Sequence, residues 1–183
     1  MPGFSPAEIA RNLARVTRFF QRHRLHYMLI GAVAMSVWGR PRTTLDLDFL
    51  VLVDEKGLAK INGWITQEGM RVDEAWLEWN PLLAKTQLRL DLGQVMVDLM
   101  IPRDVHDRQA FCRRKRKKVG KRFYWFISPE DFILQKLKVG RPRDFEDAVT
   151  VLERLREELD MSHLKRWAQR LGILDELGYI LAL

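Results

Sequence analysis

Apolar residues recur at two different spacings along the chain, and these predict alternating helices and strands over its first two thirds. A short strand over residues 26–30 ends at Gly31, and a helix over 32–38 leaves that turn. Further helices are predicted before it and after residue 54. The first of these has one apolar stripe, formed by Ile9, Leu13, Val16 and Phe20.

A strand over residues 45–53 carries two carboxylates. Its apolar side chains alternate with Asp46 and Asp48, and they are Leu45, Leu47, Phe49, Val51 and Val53. Residues two apart on a strand point to the same face. Both carboxylates are therefore expected to converge on one spot, where they repel each other unless a cation lies between them.

A hairpin is predicted between residues 88 and 101, with Gly93-Gln94 as its turn. A two-residue loop would pair Arg89 with Asp98, so these two side chains would share a face. Trp76 and Trp79 precede the hairpin in a stretch without a clear pattern. Their spacing of one helical turn favours core packing over base stacking.

The chain changes character near residue 128. A second hairpin is expected up to Ile127, and Ser128-Pro129 then begins a helix that breaks at Gly140. A helix over 143–158 and two shorter ones beginning near Ser162 and Asp175 complete the chain. We therefore predict an α/β (α+β type) fold, with a part of mixed strands and helices over 1–127 and a helical part over 128–183.

One segment accounts for the basic character of the chain, whose net charge is +7. Residues 113–122 hold eight cations in ten positions; without them, 23 basic residues remain against 24 acidic ones. Such density attracts polyanions by counterion release, which favours contact with RNA or DNA. The alternative is a solvated hairpin whose lysines protect a sheet edge. The candidate nucleic-acid contacts are Arg113, Arg114, Lys115, Arg116, Lys117, Lys118, Lys121 and Arg122.

Composition excludes several classes of protein. Cys112 is the single cysteine, so neither an intrachain disulfide nor a cysteine-based zinc site can form. The four histidines are scattered, and surface or helix-end positions are expected for them. The longest uncharged stretch, 26–39, is too short to span a bilayer, which needs roughly 20 apolar residues. We expect a cytoplasmic protein that does not enter a membrane.

The order strand, glycine turn, helix and carboxylate strand suits phosphate chemistry. Gly31 permits close approach of the backbone, and free amides at the following helix can meet a phosphate. Asp46 and Asp48 offer the oxygen ligands that Mg²⁺ prefers. Asp98 could complete a site for two ions roughly 3.5–4 Å apart. It would also be the best-placed group to accept a proton from an attacking hydroxyl.

These motifs resemble those of the polymerase-beta-like nucleotidyltransferase superfamily. The resemblance rests on Gly31-Ala32, then Asp46-Leu47-Asp48, then Asp98 within Val97-Asp98-Leu99-Met100. Two further stretches extend the resemblance: the first fits an Arg-x-Thr-x-Asp lead-in, and the second is similar to the C-terminal signature of AbiEii- and MenT-like nucleotidyltransferase toxins and their relatives. They are Arg42-Thr43-Thr44-Leu45-Asp46, and Ser128-Pro129-Glu130-Asp131 with Lys136, Arg143-Asp144 and Asp147.

The resemblance implies a catalytic domain over 1–127, with a mixed sheet flanked by helices, and a helical part over 128–183 that closes the nucleotide cleft. It also implies a site for an NTP with Mg²⁺, or Mn²⁺ in its place. Asp46, Asp48 and Asp98 would hold the metal, and Gly31 with the Ala32 amide would meet the triphosphate. Ala32 stands where serine or glycine is common in the family. It lacks the serine hydroxyl that could donate to a phosphate, and Ser36 could compensate for that lost donor. Other implied nucleotide contacts are Arg42, Thr44, Lys136, Asp144 and Asp147.

Three functions remain open at this point. The first is NMP transfer from an NTP to an RNA hydroxyl, such as a tRNA end, in a toxin that has a cognate antitoxin. The second is transfer to a small molecule or a protein side chain. The third is a nucleotide- or RNA-binding module, or an antitoxin, that lacks turnover.

Overall fold

The computed structural model describes residues 6–41 and 44–183. Its strands are β1 (Tyr27–Leu29), β2 (Asp46–Val51), β3 (Arg71–Val72), β4 (Gln87–Asp91), β5 (Met96–Met100), β6 (Lys115–Val119) and β7 (Arg122–Phe126). Its helices are α1 (Pro6–Arg22), α2 (Gly31–Trp38), α3 (Glu55–Gln67), α4 (Glu74–Trp79), α5 (Val105–Arg113), α6 (Pro129–Val139), α7 (Pro142–Leu155), α8 (Met161–Leu171) and α9 (Leu174–Leu181).

The strands form one mixed sheet in the order β3-β4-β5-β2-β1-β7-β6. β2 lies in the middle, antiparallel to β1 and parallel to β5. Its Leu47, Phe49 and Val51 are fully buried, as expected for a central strand covered by helices. The predicted mixed fold with a helical C-terminal part is confirmed.

The hairpin β4–β5 has the predicted register. Arg89 lies opposite Asp98, and Asp91 lies opposite Met96. Gly93 has φ of +85°, and the Leu92 amide donates to the Val95 carbonyl across the turn. The turn position therefore determines which side chains of β5 reach the face of Asp48.

The second predicted hairpin is also present, but it begins two residues after the start of the basic segment. β6 begins at Lys115, and the preceding Arg113 ends α5, a helix without a counterpart among the predicted elements. α5 escapes prediction because its first residue, Val105, is exposed whereas its polar His106 and Asp107 are buried. The apolar periodicity that marks a helix is therefore weak here.

One hydrophobic core extends through the whole described chain. It joins sheet residues such as Phe49 and Val97 to residues of the C-terminal helices such as Leu134, Val151 and Leu177. The division at residue 128 stays a prediction. In the described part of the chain, no helix combines the length and apolar character needed to cross a bilayer.

The two tryptophans of α4 do not pack in the core as predicted. Trp79 is 85% exposed, and Trp76 is half-buried beneath the guanidinium of Arg89, 4.8 Å from the ring centre. α4 is only six residues long and has no buried residue. It is too short to offer a second apolar row that could bring both rings inside.

Candidate active site

Asp48 and Asp98 are direct neighbours on the parallel strands β2 and β5. Asp46 lies two residues before Asp48 and is exposed at the start of β2. All three line one cavity of about 450 Å³, which is within the usual range for a small-ligand site. The structure therefore brings together the three aspartates that the sequence singled out.

Gly31 sits against Asp48 at the turn from β1 into α2. It has φ of +60°, and a Cβ at this residue would overlap the Asp48 carboxylate. The Ile30 amide donates to the Asp48 carbonyl at 3.0 Å, which fixes the turn to β2. Glycine is needed here for both the backbone conformation and the space.

The pKa of Asp48 is raised to about 6. Burial raises it most, followed by the negative charges of Asp98 and Asp46, while Lys136 and the Ala32 backbone N–H act in the opposite direction. Ionising Asp48 is costly because it is buried and because two other carboxylates lie nearby. A bound cation would stabilise its ionised form. This donor set of hard oxygen ligands fits Mg²⁺.

Asp98 differs from the other two because it has a cationic partner. Both of its oxygens accept hydrogen bonds from Arg89, at 2.8 Å from Nε and 2.7 Å from Nη2. Each oxygen keeps a further lone pair for a metal ion or a proton. The pairing was anticipated from the hairpin register, but the bidentate geometry was not.

The remaining predicted nucleotide contacts have different positions. Thr44 lines the cavity and its hydroxyl accepts from the Asp46 amide at 3.0 Å, so it shapes the approach to β2. Ser36 does not line it, because its hydroxyl donates to the Ala32 carbonyl within α2. The proposed compensation for Ala32 by Ser36 stays a prediction. Arg42 lies outside the described residues.

Lys136 is held between two carboxylates of α7. Its Nζ lies 2.7 Å from Asp144 and 2.8 Å from Asp147, and the side chains of all three are largely buried. Burial would raise the pKa of Asp144, and the hydrogen bond from Lys136 lowers it below its usual value. The three residues lie together as predicted, although the lysine's charge is already matched.

A second polar cluster lies beside the cavity. Among the described residues, Asp104, His106 and Asp107 each have one potential metal-ligand atom within 4.8 Å of the other two, which is close enough for the three to hold one metal ion. Lys138 Nζ already bridges the two carboxylates, at 2.7 Å from Asp104 and 3.3 Å from Asp107. Because an ammonium already occupies this position, we interpret the cluster as a support for the cavity wall.

Two histidines converge in the interior from the first turns of α5 and α8, which are helix-end positions as expected, although both side chains are buried. His163 Nε2 lies 2.7 Å from Asp131, His106 Nε2 lies 3.4 Å from the same oxygen, and Ser128 donates to the other at 2.7 Å. Burial would raise the pKa of Asp131, and these hydrogen bonds lower it. The cluster joins α5, α6 and α8, which sequence spacing alone could not show.

The basic segment divides into two parts. Arg113 is turned inward to Glu130 and Asp131, both at 3.4 Å, and Arg114 is half-buried over Phe111 and Trp125. Ion pairing and burial therefore set these two arginines apart from the predicted nucleic-acid surface. The exposed cations, called the basic hairpin below, are Lys115, Arg116, Lys117, Lys118, Lys121 and Arg122.

Comparison of the chain with models of known protein families identifies the family to which it belongs. The model described as "Nucleotidyltransferase of unknown function (DUF6036)" matches residues 9–177. The chain belongs to this family of nucleotidyltransferases. It is an enzyme of the polymerase-beta-like superfamily, as its motifs indicate, whereas the closer resemblance to AbiEii- and MenT-like toxins stays a prediction. A search of curated proteins finds no match.

Three solved structures share the fold of this DUF6036 nucleotidyltransferase. The lincomycin-bound lincosamide antibiotic adenylyltransferase LnuA has a TM-score of 0.54 at 14% identity, over 80% of this chain and 96% of its own. An antigenic nucleotidyltransferase-like protein from Paracoccidioides brasiliensis has 0.55 at 16%, over 82% and 78%. The antibiotic-resistance factor ANT(2'')-Ia has 0.56 at 13%, over 91% and 95%.

Proposed function

We propose that this protein transfers a nucleoside monophosphate from an NTP to a hydroxyl group with the help of Mg²⁺, or Mn²⁺ in its place. The observation that carries the proposal is the register of β2 and β5, which sets Asp48 beside Asp98 at a cavity closed by Gly31. Bound metal would neutralise phosphate charge and lower the pKa of the attacking hydroxyl. Asp46, Asp48 and Asp98 are the residues that would hold it.

The chain's own groups would arrange the remaining chemistry. The acceptor oxygen forms a bond to the α-phosphorus, the bond from that phosphorus to the pyrophosphate oxygen breaks, and pyrophosphate leaves. Asp98 would accept the hydroxyl proton while Arg89 keeps its carboxylate oriented through two hydrogen bonds. The space that Gly31 leaves is filled by the Asp48 carboxylate, so a phosphate would meet the start of α2 beside that carboxylate.

RNA is the proposed acceptor because the basic hairpin lies open to solvent. β6 is an edge strand with every residue exposed. Arg116 stacks on Phe123, which is 52% exposed, with its guanidinium carbon 4.6 Å from the ring centre. Cations interleaved with exposed aromatic rings suit a polynucleotide, since the rings can stack on bases and the cations can meet phosphates.

The test is label transfer to total tRNA from labelled NTPs in the presence of Mg²⁺. We expect transfer by the wild type and a fall of roughly a hundredfold or more in an Asp46→Asn/Asp48→Asn variant, which keeps the shape of the site but loses its charge. Undiminished transfer by the double variant would contradict the proposed site. A toxin role with a cognate antitoxin, in the cytoplasm, is the proposed biological setting.

Transfer to a small molecule is the second candidate, favoured by the fold shared with LnuA and ANT(2'')-Ia, whose names concern antibiotics. Charge reversal at Lys115, Arg116 and Lys117 separates the two. It should weaken RNA modification strongly and leave transfer to a small acceptor unchanged. A matched reversal of three exposed cations outside the basic hairpin, Lys56 and Lys60 on α3 and Lys165 on α8, controls for net charge.

A further inference from the structure

The charged groups around the cavity are mostly paired with one another. Lys136 is neutralised by Asp144 and Asp147, and Lys138 by Asp104 and Asp107. Arg141 donates to Asp144 at 3.1 Å. Lys136 and Lys138 could bind a phosphate only by giving up a carboxylate partner, and Arg141 would have to share its guanidinium with Asp144, which makes all three poorer first contacts for a triphosphate than an unpaired cation.

Two arginines of the cavity lining differ from these cations. Over residues 6–41 and 44–183, the side chains of Arg103 and Arg143 make no ion pair or hydrogen bond with the protein. Both side chains are exposed, and the backbone at or next to each residue is held by contacts with the protein. The Arg103 amide donates to Asp107 at 2.9 Å, and Arg143 precedes the doubly paired Asp144.

The unpaired carboxylates of the same cavity are Asp46 and Asp48, again counting described residues alone. The site therefore leaves free two negative groups and two guanidinium groups. A metal-bound NTP has the complementary charges, since it offers a divalent cation and several phosphate oxygens. Guanidinium groups bind phosphate oxygens through two parallel hydrogen bonds, which an ammonium cannot do.

We propose that Arg103 and Arg143 hold the phosphate chain of the incoming NTP, and that Lys136 supports the wall formed by α6 and α7. The inference rests on the proposed function and deepens it. The family resemblance implies that Lys136 contacts the phosphates, whereas this inference assigns that contact to Arg103 and Arg143. Both are positioning residues, since they meet phosphates and take no proton.

The test is calorimetric titration of the full chain with an ATP analogue whose α–β bridge is a methylene group, and separately with AMP, both with Mg²⁺. Arg103→Met and Arg143→Met should each weaken binding of the triphosphate analogue about tenfold or more and change AMP binding less than about twofold. Arg143→Lys should recover part of the loss. Arg108→Met, an exposed arginine of α5 outside the cavity lining, should bind like the wild type.

The possible results separate this inference from the function beneath it. Triphosphate binding that is unchanged in both methionine variants would overturn the arginine assignment and leave the proposed function standing. An equal loss for the triphosphate and AMP would also overturn it, because that pattern means general damage to the site. A wild type that binds no triphosphate would overturn both.

Discussion

At the scale of single residues, Gly31 and Asp48 depend on each other. The glycine has φ of +60° and leaves the space that the Asp48 carboxylate fills. Gly69 has nearly the same conformation, with φ of +67°, but a Cβ there would meet nothing within 4 Å. The pair therefore offers a way to separate backbone strain from steric overlap.

Gly31→Ala should abolish nucleotidyl transfer and destabilise the protein more than Gly69→Ala does. The control carries only the cost of a left-handed alanine, about 1–2 kcal/mol. Gly31→Ala adds displacement of the Asp48 side chain, so its cost should be larger. Urea denaturation of both variants measures the difference, and equal losses would show that the space beside Asp48 is not needed.

Asp48 should make stability depend on pH in the absence of metal. Its folded pKa of about 6 exceeds the ordinary value of 3.8, so the folded state keeps the proton longer than the unfolded chain does. The penalty is absent below about pH 4, grows as pH rises through 6, and reaches about 2–3 kcal/mol above it. Asp48→Asn removes this penalty.

The variant Asp48→Asn should therefore be more stable than the wild type at pH 7.5 with a chelator present, and equally stable at pH 4. Saturating Mg²⁺ should remove the difference at pH 7.5 by stabilising the wild type. Chemical denaturation at four pH values gives the comparison. A difference between the two proteins that does not change with pH would contradict the burial and repulsion described for this carboxylate.

At the scale of elements, the corner between α6 and α7 depends on Lys136. Gly140 ends α6 with φ of +73°, and α7 follows at once, so that Asp144 and Asp147 face the lysine. Lys136→Met leaves buried carboxylates without their cation and should cost about 3–5 kcal/mol. Lys138→Met should cost about 1 kcal/mol or less, because its pair with Asp104 is more exposed and the buried Asp107 keeps the hydrogen bond from the Arg103 amide.

Thermal or urea unfolding of these two lysine variants tests the assignment of Lys136 as a support. A loss for Lys136→Met no larger than that for Lys138→Met would contradict it. The same variant should be assayed for binding of AMP, whose affinity reports whether the corner between α6 and α7 still has its native shape.

Elements with a strong local signal could be predicted from the sequence. Gly93 fixed the register of β4 and β5, and alternation around Asp46 and Asp48 fixed the face of β2. α5 could not be predicted, because its buried side chains include His106 and Asp107, whose charged partners Asp131 and Lys138 are distant in sequence. For the same reason, the convergence of His106 and His163 on Asp131 needed the structure.

The candidate site shows the same division. The three aspartates and Gly31 were identifiable because their chemistry requires fixed residue types at fixed spacings. Whether Lys136, Arg103 and Arg143 are ion-paired could not be predicted, since the sequence does not distinguish a paired basic residue from a free one. Pairing depends on which carboxylates the fold brings near, and that is a tertiary property.

At the scale of the whole molecule, one core joins the sheet to the C-terminal helices. Trp38 of α2 donates to the carbonyl of Ile127 at 2.8 Å, and Arg154 of α7 donates to the carbonyl of Gly39 at 2.7 Å. A fragment of residues 1–127 would expose the surface that α6 and α7 cover. The predicted division at residue 128 therefore separates two parts that we expect to fold together.

The full chain should unfold in one cooperative transition, and the 1–127 fragment should show none. Tryptophan fluorescence and far-ultraviolet circular dichroism of the full chain should give coincident denaturation curves. Two separated transitions, or a fragment that unfolds cooperatively by itself, would show independent domains. Either result would mean that the cavity is a cleft between two independent domains and does not lie within one folding unit.

The most direct test of the central claim compares NTPs labelled at the α- and γ-phosphate, with Mg²⁺ and RNA as acceptor. The account predicts that the α label joins the RNA, that the γ label leaves with pyrophosphate, and that Asp46→Asn/Asp48→Asn stops both. Transfer of the γ label to the acceptor, or transfer of the α label that persists in the double variant, would contradict nucleotidyl transfer at the carboxylates of β2.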